Sequence, residues 1–283
     1  MLKDYFLKLN NSNFMIINES QDITISENKE YWIFVDLKKS AEYKLKVLEN
    51  VEAKVIEIIN LENEIKVSKE IICEGNSKLD IVTLEYTKGE KKNVEVKTYL
   101  KDSAYINNKK ITIFNSEYSG LADSYLDSPN STIETTNVLI NSSSNVCDVY
   151  ENIHHHNIDT TSVLFNYGIC KNKSTVNINT NGLIIKDAKR SNIRQKSKGI
   201  LLDVESSISA NPWLQIDEYD CLANHGAGIG AIDEEDLYYL MSRGLTKTDS
   251  EKLIIGGFVE PIYNAFPEGE VKELVIKLVN EYL

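Results

Sequence analysis

The chain has 283 residues, of which 42% are hydrophobic and 26% are charged, and its formal net charge is −12. The composition is that of an ordinary globular protein, whereas so acidic a surface repels phosphate backbones and anionic lipids, which argues against nucleic acids and membranes as partners. The four cysteines are widely spaced without CxxC pairs, so we expect buried thiols and no disulfide framework.

The first residues, MLKDYFLKLNNSNF, do not form the apolar core of a signal peptide, because Lys3, Asp4 and Lys8 interrupt them. No apolar run approaches the length of about 18 residues that would indicate a membrane span. We therefore expect a cytoplasmic protein.

Residues 1–222 predict many short strands. Small polar clusters that favour turns separate the runs, such as GNS at 75–77 and SPNS at 128–131. This recurrence, with Asn181-Gly182 as the one hairpin-type dipeptide, favours a parallel β-helix whose coils bury their apolar faces against each other. A β-sandwich with long loops would give a similar pattern. The apolar and β-branched runs, several of them alternating with polar residues, lie at 13–18, 31–37, 78–87, 93–100, 109–115 and 174–186.

The periodicity becomes helical near residue 233. Asp233 predicts an N-cap, and Gly244 predicts the end of this first helix. A second helix is predicted to begin at the capping box TDSE, 248–251, and to be interrupted at Pro261. A third carries the apolar stripe Val271, Leu274, Val275, Leu278, Val279 and Tyr282. The sequence thus predicts a β-helix core over residues 1–230 and a helical C-terminal domain over residues 231–283.

The glycines at 226, 228 and 230 do not predict a dinucleotide site. The helix begins only after Asp233, whose carboxylate would repel a pyrophosphate, and no βαβ pattern surrounds the glycines. We interpret them as the turn by which the chain leaves the last coil for the first helix.

Histidines are the candidate metal ligands. If 219–225 is a strand, Cys221 and His225 share one face, and a thiol and an imidazole can both bind iron or zinc; a hydrogen-bonded structural histidine is the commoner role. The run His154–His156 could also offer an HxH pair, although an outward-facing histidine run is more common. No Ser-His-Asp or GxSxG arrangement is visible, so we expect no enzyme activity.

Several segments resemble the SufB/SufD family of iron–sulfur cluster assembly proteins. The run HGAGIGAIDEEDLYYLMSRGL at 225–245 is similar to the family signature HGATxGxIDxExLFYLxSRGI, and LIIGGF at 253–258 is similar to the segment that follows it. Upstream, HHNIDTTS at 155–162 resembles the family spacing H-x4-T-x-S, which corresponds to His155, Thr160 and Ser162. The run QKSKGILLD at 195–203 resembles a family segment in which a glutamine is followed by three consecutive leucines. The likeness covers about residues 155–283; before residue 150 only the strand pattern supports it.

The resemblance implies a right-handed parallel β-helix with a helical C-terminal domain and a non-catalytic scaffold role in an assembly complex. The implied partners are a SufC-type ABC ATPase, bound through the C-terminal helices, and a SufB-type subunit or a second copy of the chain. No cofactor is expected to bind stably, but iron or an iron–sulfur cluster could contact the subunit interface transiently. The implied interface residues are His225, Cys221 and His155, with His225 as the metal ligand, and the implied ATPase-binding residues are Leu237, Tyr239, Arg243 and Phe258.

Departures from the family pattern favour a SufD-like member. Ser197 stands where SufB-type chains carry a cysteine, and Asn224 and Gly226 replace the glutamates that flank the histidine there. SufD-type chains often carry a cysteine at the position of Ala223, and the longer N-terminal helical extension is missing, which implies a short member. The alternatives are a SufB-like scaffold that bears its own cluster and a β-helix polysaccharide lyase or hydrolase; the SRG-type tail argues against the latter.

Overall fold

The computed structural model describes residues 14–283. Residues 1–13, on which the argument against a signal peptide rests, lie outside this range, as does the first residue of the strand predicted at 13–18. The strands of the described range are β1 Phe14–Ile17, β2 Gln21–Ile25, β3 Glu30–Leu37, β4 Ala41–Val47, β5 Glu52–Leu61, β6 Ile65–Cys73, β7 Lys78–Thr87, β8 Lys92–Leu100, β9 Tyr105–Phe114, β10 Tyr118–Leu126, β11 Thr132–Asn141, β12 Val146–His155, β13 Thr161–Cys170, β14 Thr175–Ile184, β15 Ser191–Leu201, β16 Ser207–Ile216 and β17 Cys221–Ala231.

The strands form a parallel β-solenoid. In residues 14–283 the odd-numbered strands build one nine-stranded sheet, sheet A, and the even-numbered strands build an eight-stranded sheet, sheet B. Each strand pairs in parallel with the strand two positions along the chain, so that Glu52 lies beside Lys78 and Ser191 beside Cys221. One coil therefore takes 26 residues early in the solenoid and 30 at its end. The predicted parallel β-helix is confirmed, and the sandwich alternative is wrong.

The predicted turns form one corner of the coils. Asn50, Asn76 and Asn130 adopt left-handed backbone conformations with φ of 60°, 55° and 59°, which asparagine tolerates better than most residues. The N–H of Asn76 donates to the carbonyl of Asp102 in the next coil at 2.8 Å, and the N–H of Asn50 donates to Gly75 at 3.0 Å. The polar clusters at 75–77 and 128–131 are thus stacked corners.

Rows of aliphatic side chains fill most of the solenoid interior. The strand register places Ala53, Leu79, Ile106 and Ile133 in one row along the axis, and all four are buried. Each coil closes the apolar face of the coil before it, which is the packing that stabilises solenoids.

Three helices follow: α1 Glu234–Ser242, α2 Lys247–Tyr263 and α3 Glu270–Tyr282. Asp233 caps α1 by accepting the N–H of Glu235 at 2.7 Å, and Gly244 has φ of +95°, so both predicted ends are confirmed. The α3 stripe is also confirmed, because Val271, Val275 and Val279 are buried.

Two predictions for α2 are wrong. Thr246, not Thr248, is the N-cap, because its side chain accepts the N–H of Asp249 at 3.1 Å; both threonines fit the capping pattern, and the sequence could not decide between them. The helix also continues past Pro261 to Tyr263. Pro261 lies within a turn of the helix end, so the break it causes comes where the helix is already finishing.

Helices α2 and α3 cover the outer face of sheet A. Ile255, Val259 and Val275 join one apolar cluster with outward-facing residues of the odd strands, among them Ile58 and Leu84. The prediction of separate domains at 1–230 and 231–283 stays a prediction; β17 ends at Ala231 and α1 begins at Glu234. No helix in residues 14–283 has the length and hydropathy needed to cross a membrane.

Candidate interface at the open end of the solenoid

The last coil leaves one end of the solenoid uncovered. In the described chain, β16 and β17 are the terminal strands of their sheets, and nearly every residue of β17 is exposed. Apolar side chains are exposed there as well: Trp213 is 69% exposed and Leu222 is 68% exposed. Unpaired strand edges beside exposed apolar groups are typical of surfaces that bind another protein.

His225 lies on the interior-facing side of this last coil. It pairs in register with Gln195 of β15, whose side chain is 2% exposed inside the solenoid. His225 itself is exposed because no further coil follows, and within residues 14–283 its imidazole has no hydrogen-bond partner. It opens onto a shallow cleft that is also lined by Phe165, Gln195, Ser197, Asn224 and Ala227.

The glycines beside His225 do not form the predicted turn. Gly226, Gly228 and Gly230 lie inside β17, which stays extended to Ala231. A Cβ atom added at any of the three would meet nothing within 4 Å, so packing within this chain does not require glycine there. Glycine in an edge strand does allow another backbone to approach closely, which fits a subunit interface.

Cys221 and His225 do not converge on one ion. Four residues of extended strand separate their Cα atoms by about 13 Å. The Cys221 thiol donates to the carbonyl of Glu218 at 3.1 Å, and burial raises its pKa, with Glu218 and Asp220 adding to the rise. A raised pKa disfavours the thiolate that binds metals. That Cys221 and His225 lie at a subunit interface stays a prediction.

His155 lies inside the solenoid at the end of β12 and is 0% exposed. Its Nδ1 is 2.7 Å from the hydroxyl of Thr160, and its Nε2 is 2.8 Å from that of Ser162. Burial, reinforced by His156 and His154, lowers its pKa to about 3, so the ring is neutral. The spacing H-x4-T-x-S thus corresponds to a hydrogen-bonded link between β12 and β13, and an interface role for His155 stays a prediction.

The neighbouring histidines lie on the outer face of sheet B. His154 stacks on Tyr125 with ring centroids 4.7 Å apart, and the Nδ1 of His156 is 2.8 Å from Asp127. Across residues 14–283, no three His, Cys, Asp or Glu side chains are grouped so that they could hold a metal ion. His225 therefore belongs to no such group within the described residues.

The predicted ATPase-binding residues separate into two groups. Tyr239 and Arg243 are exposed on α1, where the guanidinium donates to the tyrosine hydroxyl at 3.3 Å and lies 5.3 Å from its ring; Leu237 is half-buried on the same helix. Phe258 of α2 instead contacts sheet A, 5.5 Å from the ring of Tyr167. Sequence reasoning missed the apolar side chains that are exposed on the last coil, because only the end of the solenoid distinguishes them from core: Trp213, Leu222 and Ile229.

The fold and this end surface together define a parallel β-solenoid with an exposed strand edge at one end and helices along one sheet. The chain belongs to the SufB/SufD family: the profile described as "SUF system FeS cluster assembly, SufBD core domain" matches residues 35–258. The match extends the family likeness into residues before 150, where the motifs gave none.

Curated relatives support the same assignment. The chain is 40% identical over 113 residues to the iron–sulfur cluster assembly protein SufD of Bacillus subtilis, a match that covers 40% of this chain and 26% of the relative. It is 24% identical over 158 residues to SufD of Escherichia coli, covering 56% and 37%. A SufBD family protein of Pyrococcus horikoshii is 35% identical over 113 residues, covering 38% and 25%. The matches thus span about a quarter to over a third of each relative.

Proposed function

We propose that this chain is a SufD-like, non-catalytic scaffold subunit in an iron–sulfur cluster assembly complex. Its open end pairs with a SufB-type subunit or with a second copy, and α1 contributes to binding of a SufC-type ABC ATPase. The family match and the SufD-named relatives support the general role. The cluster or its iron is the cargo of this complex, and no cofactor stays bound to the isolated chain.

One observation carries the proposal: His225 is an exposed imidazole at an uncovered strand edge, beside glycines at which an added Cβ would meet nothing within 4 Å in the described chain. Neutral imidazole is a competent iron ligand. Since the described residues hold no group of three metal-binding side chains, we infer that the remaining donors come from the partner across the interface. This arrangement allows a cluster to form only when both subunits are present.

The test is His225→Ala in the chain assembled with SufB-type and SufC-type proteins under anaerobic conditions. We expect iron content and cluster yield to fall about tenfold or more, with complex formation and Tm unchanged, because the His225 imidazole has no hydrogen-bond partner to lose within residues 14–283. His156→Ala is the matched control, since His156 is a half-exposed histidine just after β12; it should leave the yield unchanged. Normal cluster yield from a folded His225→Ala complex would contradict the proposal.

The SufB-like alternative predicts a different result for the isolated chain. A scaffold with its own ligands would form a stable visible chromophore on anaerobic reconstitution with iron and sulfide, whereas the SufD-like role predicts none. Ser197, at the position of the SufB-type cysteine, is 2% exposed and supplies a hydroxyl in place of a thiol, which favours the SufD-like role.

A further inference from the structure

Five ionisable side chains lie together inside the solenoid. Glu57, Glu85, Glu151, Lys69 and Lys110 line an internal cavity of about 80 Å³. The glutamates are only 0%, 0% and 9% exposed. Removing charged groups from water is costly unless each is paired, so the balance of charge within this chamber decides which groups are ionised.

Two of the carboxylates are matched by ammonium groups. The Nζ of Lys69 lies 2.6 Å from Oε2 of Glu57. The hydroxyls of Tyr43 and Thr83 also donate to the Glu57 carboxylate, at 3.1 and 3.0 Å. The Nζ of Lys110 lies 2.7 Å from Glu85. These two pairs together carry no net charge.

Glu151 is the third carboxyl and has no cation of its own in the described chain. The side-chain amides of Asn137 and Asn166 donate to it at 2.6 and 3.2 Å. Lys110 of β9, which Glu85 already engages, acts electrostatically on Glu151. Glu57, Lys69 and Glu85 line the same cavity, and burial raises the pKa of Tyr118 of β10, so that its hydroxyl is neutral. An ionised Glu151 would therefore leave the chamber with one uncompensated negative charge.

We propose that Glu151 keeps its proton in the folded protein at pH values at which exposed glutamates have lost theirs, so that the chamber is a pH-sensitive element of the solenoid. Deprotonation would place an unpaired charge in the interior and favour entry of water. Burial raises the pKa of Glu151, and this outweighs the opposing effects of Asn166, Lys110 and Asn137.

The sign of the pH effect follows from linkage. Because the pKa of Glu151 is higher folded than unfolded, the folded chain binds more protons between those two values. The resulting stabilisation is complete below the unfolded pKa and is lost as pH rises through the folded pKa. Increasing pH should thus weaken this part of the solenoid.

Infrared spectroscopy at pH 6, above the range in which exposed glutamates titrate, tests the proposal directly. We expect a carbonyl stretch of a protonated carboxylic acid that is absent in Glu151→Gln and retained in Glu134→Gln, a control whose carboxyl is exposed on β11. Absence of the band from the unmodified protein, or its persistence in Glu151→Gln, would overturn the proposal. If Glu151→Gln does not fold, Glu151→Met removes the same carboxyl and takes its place.

Thermal unfolding gives an independent readout. As pH rises from 4 to 9, the Tm of the unmodified protein should fall further than that of Glu151→Gln does, because only the unmodified protein loses this proton. Glu134→Gln, which changes an exposed carboxyl, should show the same pH dependence as the unmodified protein. Equal pH dependence in the unmodified protein and Glu151→Gln would contradict the proposed proton.

Discussion

At the scale of single residues, two histidines of the family-like motifs occupy opposite environments. His155 is enclosed, and the hydroxyls of Thr160 and Ser162 engage both ring nitrogens, whereas His225 is exposed at the end of the solenoid. The motif spacing selected both, but spacing in sequence does not reveal burial. His155 contributes to folding through its contacts, and His225 is the residue available to a partner.

The enclosed histidine predicts a loss of stability in acid. Because the pKa of His155 is lowered from 6.5 to about 3, the unfolded chain binds the extra proton between those values, and stability falls as pH drops through this window. Between pH 7 and pH 5, the unmodified protein should lose about 2 kcal/mol more than His155→Gln does. Urea unfolding at the two pH values measures this, with His156→Gln as control. An equal loss in His155→Gln would contradict the assignment.

At the scale of elements, the sequence predicted the regular parts and missed those that depend on neighbours. Alternating strands, polar corners and the α3 stripe follow from local patterns. β17 was partly missed because glycines carry no side chain to show an alternation. The interior chamber was not predicted, since Glu57 and Lys69 look in sequence like outward-facing strand residues, and only the register of the coils turns them inward.

Helix α1 differs from α2 and α3 because it has no buried residue. If its exposed face binds the ATPase, Arg243→Glu should abolish capture of a SufC-type protein without lowering Tm, because the arginine contacts only Tyr239 of its own helix in the described chain. Lys277→Glu, the same charge reversal at an exposed position of α3, should leave capture intact. A pull-down with purified proteins measures both, and undiminished capture by Arg243→Glu would place the ATPase elsewhere.

At the scale of the whole molecule, α2 and α3 bridge coils that are distant in sequence. Tyr282 shares a hydrogen bond of 2.8 Å with Tyr86 of β7, while Phe258 lies 5.5 Å from Tyr167 of β13 and 5.4 Å from the Nζ of Lys198 of β15. The apolar cluster under the helices continues between these points. The helices therefore join five odd-numbered strands from one side.

Because α2 bridges several strands, a single cavity beneath it should lower the free energy of unfolding substantially. Ile255→Ala should lower the free energy of unfolding by about 2–5 kcal/mol, because Ile255 is 0% exposed between the helix and sheet A. Leu253→Ala, on the same helix but 57% exposed, should cost about 0.5 kcal/mol or less. Urea denaturation followed by circular dichroism measures both, and similar costs for the two variants would show that α2 does not pack as described.

Because α2 and α3 lie along sheet A, they also determine how the molecule unfolds. A solenoid whose coils contact only their neighbours can unfold progressively from its ends, with no single transition. Here, opening any coil from β7 to β15 also removes contacts of helices that hold the other coils, so the free energies of local opening are coupled. We therefore expect one cooperative unfolding transition. The backbone amide hydrogens of these coils should exchange with solvent through one common opening. Those of the uncovered last strand, β17, should exchange independently until a partner protects them.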